Sequence, residues 1–109
     1  MGIPTIGTVI LIQFPFADFK AYKKRPAVIV SASSLNTIVV CQVTSRNLSG
    51  VPGVKIETKD FVEGGLPFIS YVRPDKLFTV DTQRKPQQLG RLQPTTIKQI
   101  RKQIVQLFS

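Results

Sequence analysis

Between positions 8 and 80 the apolar residues come in short β-branched bursts, none longer than four residues, each closed by turn-forming residues. Bursts of this length suit strands and are too short for core helices, which confines the chain to a mainly β fold. Six strands are predicted, at residues 8–14, 27–31, 37–44, 54–58, 67–73 and 77–80. Residues 18–24, 33–36, 47–53 and 63–66 read as turns between them. The run IVVC at residues 38–41 is apolar on both parities, as a central strand covered on both faces would be. Near the C-terminus the period changes. Ile97, Ile100, Ile104, Leu107 and Phe108 follow helical spacing, with Lys98, Arg101 and Lys102 on the other positions. Pro94 suits the first turn of that helix, where its missing donor costs little, and Gln93 is a mediocre cap. The isoleucine stripe should pack on the sheet. The expected fold is a small antiparallel barrel or curled sheet with one C-terminal α-helix, residues 1–109 forming a single domain.

Charge narrows the partners. The net charge is +9 on 109 residues. A surface this basic favours nucleic acid or an acidic protein. Lys20, Lys23, Lys24 and Arg25 fall within six residues, and six basic residues but no acidic one follow Asp81. The basic residues do not share one amphipathic helix with a broad aromatic face, which disfavours a lipid surface. No apolar run is long enough to span a membrane. No basic residue precedes the first apolar run, which argues against a secretory signal. One cysteine, Cys41, cannot form an internal disulfide, so the cytoplasm is the expected compartment.

Three pieces carry the candidate chemistry: KKRPAVIVS (residues 23–31), QVTSR (residues 42–46) and SYVRPDKLFTVD (residues 70–81). They supply Arg25 beside Pro26, the hydroxyls of Thr44 and Ser45 beside Arg46, and Arg73 with Asp75 around Pro74. A planar guanidinium grips two phosphate oxygens at once, and a hydroxyl can donate to a third. The chain has no histidine, one cysteine and six scattered carboxylates, a poor set of metal ligands, so no cofactor is expected. Taken singly, each piece also has a plain reading. The lysine run can be a solvated loop, the Thr-Ser pair ordinary turn chemistry, and Arg73 with Asp75 a surface ion pair worth under about 1 kcal/mol.

In this order, FPFADFKAYKKRPAVIVS, then VTS, then GGLPFISYVRPDKLFTVD, then LGRL before a terminal helix, the chain resembles the PemK/MazF family of bacterial toxins. The resemblance runs from about Gly7 to Phe108. It implies an SH3-like barrel that forms a homodimer and acts as a metal-independent endoribonuclease, held in check by an acidic antitoxin. It also implies catalytic roles for Arg25, Thr44, Arg73 and Asp75. Asp18, in the loop before Arg25, falls where family members contact substrate, and Ser45 is the hydroxyl beside the active-site threonine.

The expected reaction is cleavage of single-stranded mRNA at a short sequence by the neighbouring ribose 2′-hydroxyl, leaving a 2′,3′-cyclic phosphate and a 5′-hydroxyl. Asp75 would take the hydroxyl proton, while Arg25 and Thr44 stabilise the charge building on the phosphate. Arg73 titrates too high to give up a proton readily and is expected to act electrostatically. Phe16, Phe19 and Tyr22 could stack on unpaired bases, with Lys20, Lys23, Lys24 and Arg46 along the backbone. Two other readings share the fold. One is a barrel that binds nucleic acid without cutting it, to which the lack of histidine lends weight. The other is a CcdB-like inhibitor of DNA gyrase, which would need a C-terminal Trp where this chain ends Gln106, Leu107, Phe108, Ser109.

Overall fold

A computed structural model describes residues 5–15, 22–32, 36–47, 49–50 and 52–109, without the side chains of Phe14, Pro15, Tyr22, Lys23 and Arg84. Seven strands form one antiparallel sheet: β1 (Thr8–Pro15), β2 (Tyr22–Ser31), β3 (Thr37–Thr44), β4 (Val54–Ile56), β5 (Phe61–Gly64), β6 (Ser70–Asp81) and β7 (Gln87–Leu92). Helix α1 (Pro94–Leu107) follows. The spatial order is β4-β6-β3-β2-β1-β7-β5. Its two outermost strands, β4 and β5, are joined in the chain by residues 57–60 alone. Edges tied so closely force the sheet to curl towards closure, which yields the expected barrel-like shape.

The short connection is built around Asp60. Its carboxylate accepts the backbone N–H of Glu57 at 2.8 Å, and its backbone carbonyl accepts the N–H of Gln93 at 2.7 Å. The same residue thus closes a turn of 3₁₀ helix and pins the start of α1. Gln93 makes no side-chain cap and Pro94 occupies the first turn, as the sequence suggests.

Apolar residues divide by parity between two faces. Inside the curl, Val9, Val28, Cys41, Val43, Val54, Ile56, Val72 and Leu92 meet Ile100 of α1. On the opposite face Ile10, Ile12, Ala27, Ile29, Ile38 and Val40 form a second cluster. Strand β3 therefore lies centrally with both faces covered, as IVVC predicts. Gly7 adopts φ 94°, and a Cβ there would collide with Ile97 of α1. Its N–H donates to Ile29 at 2.8 Å and its carbonyl accepts from Leu92 at 2.9 Å, so the helix seats where β2 and β7 are tied.

Several sequence expectations need correction. Residues 70–73 and 77–80 belong to one twelve-residue strand, β6, and not to two strands about a turn, while residues 67–69 precede it outside any strand. Lys24 and Arg25 belong to β2, which starts at Tyr22, so residues 22–24 continue a strand instead of a loop. Strands β5 and β7 were not expected: Gly64, Gly65 and Gly90 dilute their apolar patterns. Of the helical stripe, Ile97, Ile100 and Ile104 face the core, whereas Leu107 and Phe108 are exposed.

Candidate nucleic-acid site

Proline 26 explains why a gap opens at the end of the sheet. Lacking an N–H, it cannot donate to a ladder. Pairing of β2 with β3 begins one residue later, at Ala27 opposite Gln42. Continuing that register places Arg25 opposite Thr44, the last residue of β3, across a space the ladder leaves unfilled. A cavity of about 180 Å³ occupies it, lined by Arg25, Pro26, Val43, Thr44, Ser45, Leu66, Pro67, Phe68 and Ser70. Arg25 is half-buried, and its Nε is out of solvent. The Thr44 Oγ1 accepts the backbone N–H of Arg46 at 3.2 Å, which fixes the hydroxyl while keeping its own hydrogen for donation. A guanidinium and three hydroxyl residues thus line one small concavity. Ser70 donates its hydrogen to the Phe68 carbonyl at 2.9 Å, so Arg25, Thr44 and Ser45 are the donor set suited to an oxyanion.

The Arg73–Asp75 pair is built differently. Gln42 opposes Arg73 but Cys41 opposes Leu77, so β6 extrudes Pro74, Asp75 and Lys76 as a bulge. Pro74, its first residue, is fully buried and anchors it. Across this bulge Arg73 clasps Asp75 through two hydrogen bonds, Nε to Oδ1 at 3.0 Å and Nη2 to Oδ2 at 2.8 Å. The side chains are 13% and 26% exposed, so the pair is more sheltered than a surface contact. The Arg73 hydrogen bonds, chiefly, hold the Asp75 carboxyl below the usual aspartate range. Beneath, burial pushes the Cys41 thiol up to about 12, and the negative charge of Asp75 adds to this. Cys41 is therefore a neutral core residue and no nucleophile.

Arg73 does not reach into the Arg25 cavity. It lines a neighbouring one of about 100 Å³ with Arg46, Asn47, Pro52, Gly53, Lys55 and Tyr71. Asp75 lines neither of these two. Lys24 faces a third, wider cavity of about 580 Å³ beside Gln13, Asp81 and Lys85, away from the others. Of the residues singled out from sequence, Arg25, Thr44 and Ser45 thus come together, Arg46 and Arg73 sit next door, and Lys24 stands apart. Asp18, Phe19 and Lys20, with Phe16, lie outside the described residues, as do the side chains of Tyr22 and Lys23.

Sequence reasoning missed Ser70, Tyr71, Lys55 and Phe68. Tyr71 is two residues before Arg73 and so on the same strand face, a period-2 signal that was available. Lys55 is placed by the β4–β6 register, opposite Tyr71, which no local pattern announces. Phe68 is 71% exposed on the rim of the Arg25 cavity. Among the described residues no three cysteine, aspartate or glutamate side chains converge as a metal site would need, and no helix is long and apolar enough to cross a membrane.

Residues 5–108 match the family model described as PemK-like, MazF-like toxin of type II toxin-antitoxin systems. Comparison with curated protein sequences finds no match. Among solved structures, the fold is similar to that of a MazE-MazF complex from Deinococcus radiodurans, with TM-score 0.75 and 20% identity over 98% of this chain and 97% of that one. An endoribonuclease in complex with its cognate antitoxin, from a mycobacterial species, gives TM-score 0.74 and 20% identity over 96% and 94%. The Mycobacterium tuberculosis toxin MazF-mt6 gives 0.71 and 19% over 93% and 95%.

Proposed function

Since the chain belongs to the PemK-like, MazF-like toxins of type II toxin-antitoxin systems, we propose that it is a metal-independent endoribonuclease of single-stranded RNA. The observation that carries this reading is the convergence of Arg25, Thr44 and Ser45 on one cavity at the open end of the β2–β3 ladder. A scissile phosphate seated there accepts hydrogen bonds from the guanidinium and from the Thr44 hydroxyl. As the ribose 2′-oxygen bonds to phosphorus, negative charge grows on the non-bridging oxygens, and donors already aimed at them lower the barrier. The bond from phosphorus to the 5′-oxygen then breaks, leaving a 2′,3′-cyclic phosphate and, once protonated, a 5′-hydroxyl.

Asp75 takes the proton of the 2′-hydroxyl in this scheme. Its two hydrogen bonds to Arg73 keep it ionised at neutral pH but make it a weak base. Turning one Arg73 donor from the carboxylate to a flanking phosphate of the arriving strand lifts that limit. It frees an Asp75 lone pair. Arg73 stays protonated throughout, and water delivers the proton to the leaving 5′-oxygen.

The basic surface suits an acidic antitoxin segment that would cover the same cavities, and a homodimer acting in the bacterial cytoplasm completes the reading. The test is to incubate the protein with a long unstructured RNA in EDTA and map the new ends. Discrete cuts bearing 5′-hydroxyls and 2′,3′-cyclic phosphates are expected. RNA that is bound yet left intact would replace the nuclease with a binding barrel.

A further inference from the structure

The cavity next to Arg25 holds none of the bonds that change, and of its lining only Arg73 enters the scheme just described, yet it gathers three cations. Tyr71 and Arg73, both half-buried, lie on one face of β6, while the exposed side chains of Arg46 and Lys55 stand on either side. Asn47 adds an amide, and no carboxylate lines the space. Among the described residues Asp75 stands behind it, clasped to Arg73 through Nε and Nη2. Like charges brought this close repel one another unless an anion joins them. The cavity is small, about 100 Å³, and ringed by donors, which suits a compact tetrahedral anion better than a base or an apolar side chain.

Its position is set by the sheet. Thr44 and Lys55 are the β3 and β4 neighbours of Tyr71, so their backbones lie two strand spacings apart, roughly 10 Å. A strand with one phosphate in the Arg25–Thr44 cavity would carry its next phosphate between those two backbones, over Tyr71. From this we infer that Arg46, Lys55, Tyr71 and Arg73 form a second phosphate subsite, which holds the backbone of the RNA beside the cleaved bond. The inference rests on the nuclease reading and adds to it a fixed path for the strand, running across β3 and β6 towards β4. Arg73, reaching this subsite while clasping Asp75, couples occupancy of the flanking phosphate to release of the carboxylate.

The test is binding of a short 2′-O-methylated single strand of mixed sequence, which lacks the attacking hydroxyl and cannot be cut, measured against salt. Each phosphate contact contributes about 0.7 to the slope of log affinity on log salt. Lys55→Gln and Arg46→Gln should each bind more weakly and flatten the slope by about 0.7, while Lys55→Arg should restore it. Thermal unfolding of each variant at the wild-type midpoint ties the change to the charge. Variants with wild-type slope and affinity would overturn the subsite and leave the nuclease reading standing. Variants that keep RNA binding but lose binding to polyglutamate would give the cavity to an acidic protein segment instead. A wild-type protein that does not bind the strand at all would overturn both.

Discussion

Arg73 and Asp75 answer a question that spacing could pose but not decide: whether the two form an ordinary surface pair or a working unit. Two short parallel hydrogen bonds, side-chain exposures of 13% and 26%, and the bulge around buried Pro74 make them a fixed fork-to-fork pair. The consequence is measurable. A carboxylate stabilised in its charged form has a depressed pKa, so the stability it lends is present above the ordinary aspartate value and lost as pH falls through the folded one. Titration of the Asp75 carboxyl by carbon NMR should give a midpoint below the ordinary value of about 3.9. In Arg73→Gln the midpoint should rise towards it, since the leading cause is gone. An unchanged midpoint would mean that the pair does not hold in solution. Arg25 and Thr44 stood out as candidates only through the order of their motifs, since each motif alone also reads as ordinary loop or turn chemistry. Lys55 did not, because only pairing in space brings it opposite Tyr71.

At the scale of elements, the sequence was most readable where apolar residues alternate without interruption. Strand β3 runs over Thr37–Thr44, as the burst of β-branched residues predicts, and α1 starts at Pro94. Reading failed where one residue type overrode the pattern. Pro74 looked like the corner of a turn, and instead it is the buried first residue of a bulge that β6 carries without breaking. Glycines at 64 and 90 hid two strands because they leave no side chain to alternate; at both, a Cβ would strike the paired backbone. Helix α1 earns its place through Ile100, fully buried among the inner-face residues. Ile100→Ala should cost about 2–5 kcal/mol in a urea titration, chiefly by leaving a cavity between helix and sheet. A loss within about 0.5 kcal/mol would show that the helix contributes little to the core.

For the whole molecule, fold and charge work together. The curl brings the first half of β2, the end of β3 and the start of β6 to one rim, where Arg25, Thr44, Arg46, Lys55 and Arg73 line adjoining cavities. A net charge of +9 favours a polyanion as partner, and binding at that rim is expected to weaken as salt rises. Composition gives the charge, but the rim itself depends on a sheet order no local pattern encodes. The most direct test of the central claim is the single-turnover rate of RNA cleavage in EDTA, wild type beside Arg25→Ala, both at saturating protein. Discrete cuts by the wild type and a loss of about a hundredfold or more in the variant are expected, as when a donor to the developing charge is removed. A folded Arg25→Ala protein that cuts at the wild-type rate would place the chemistry elsewhere and contradict the account.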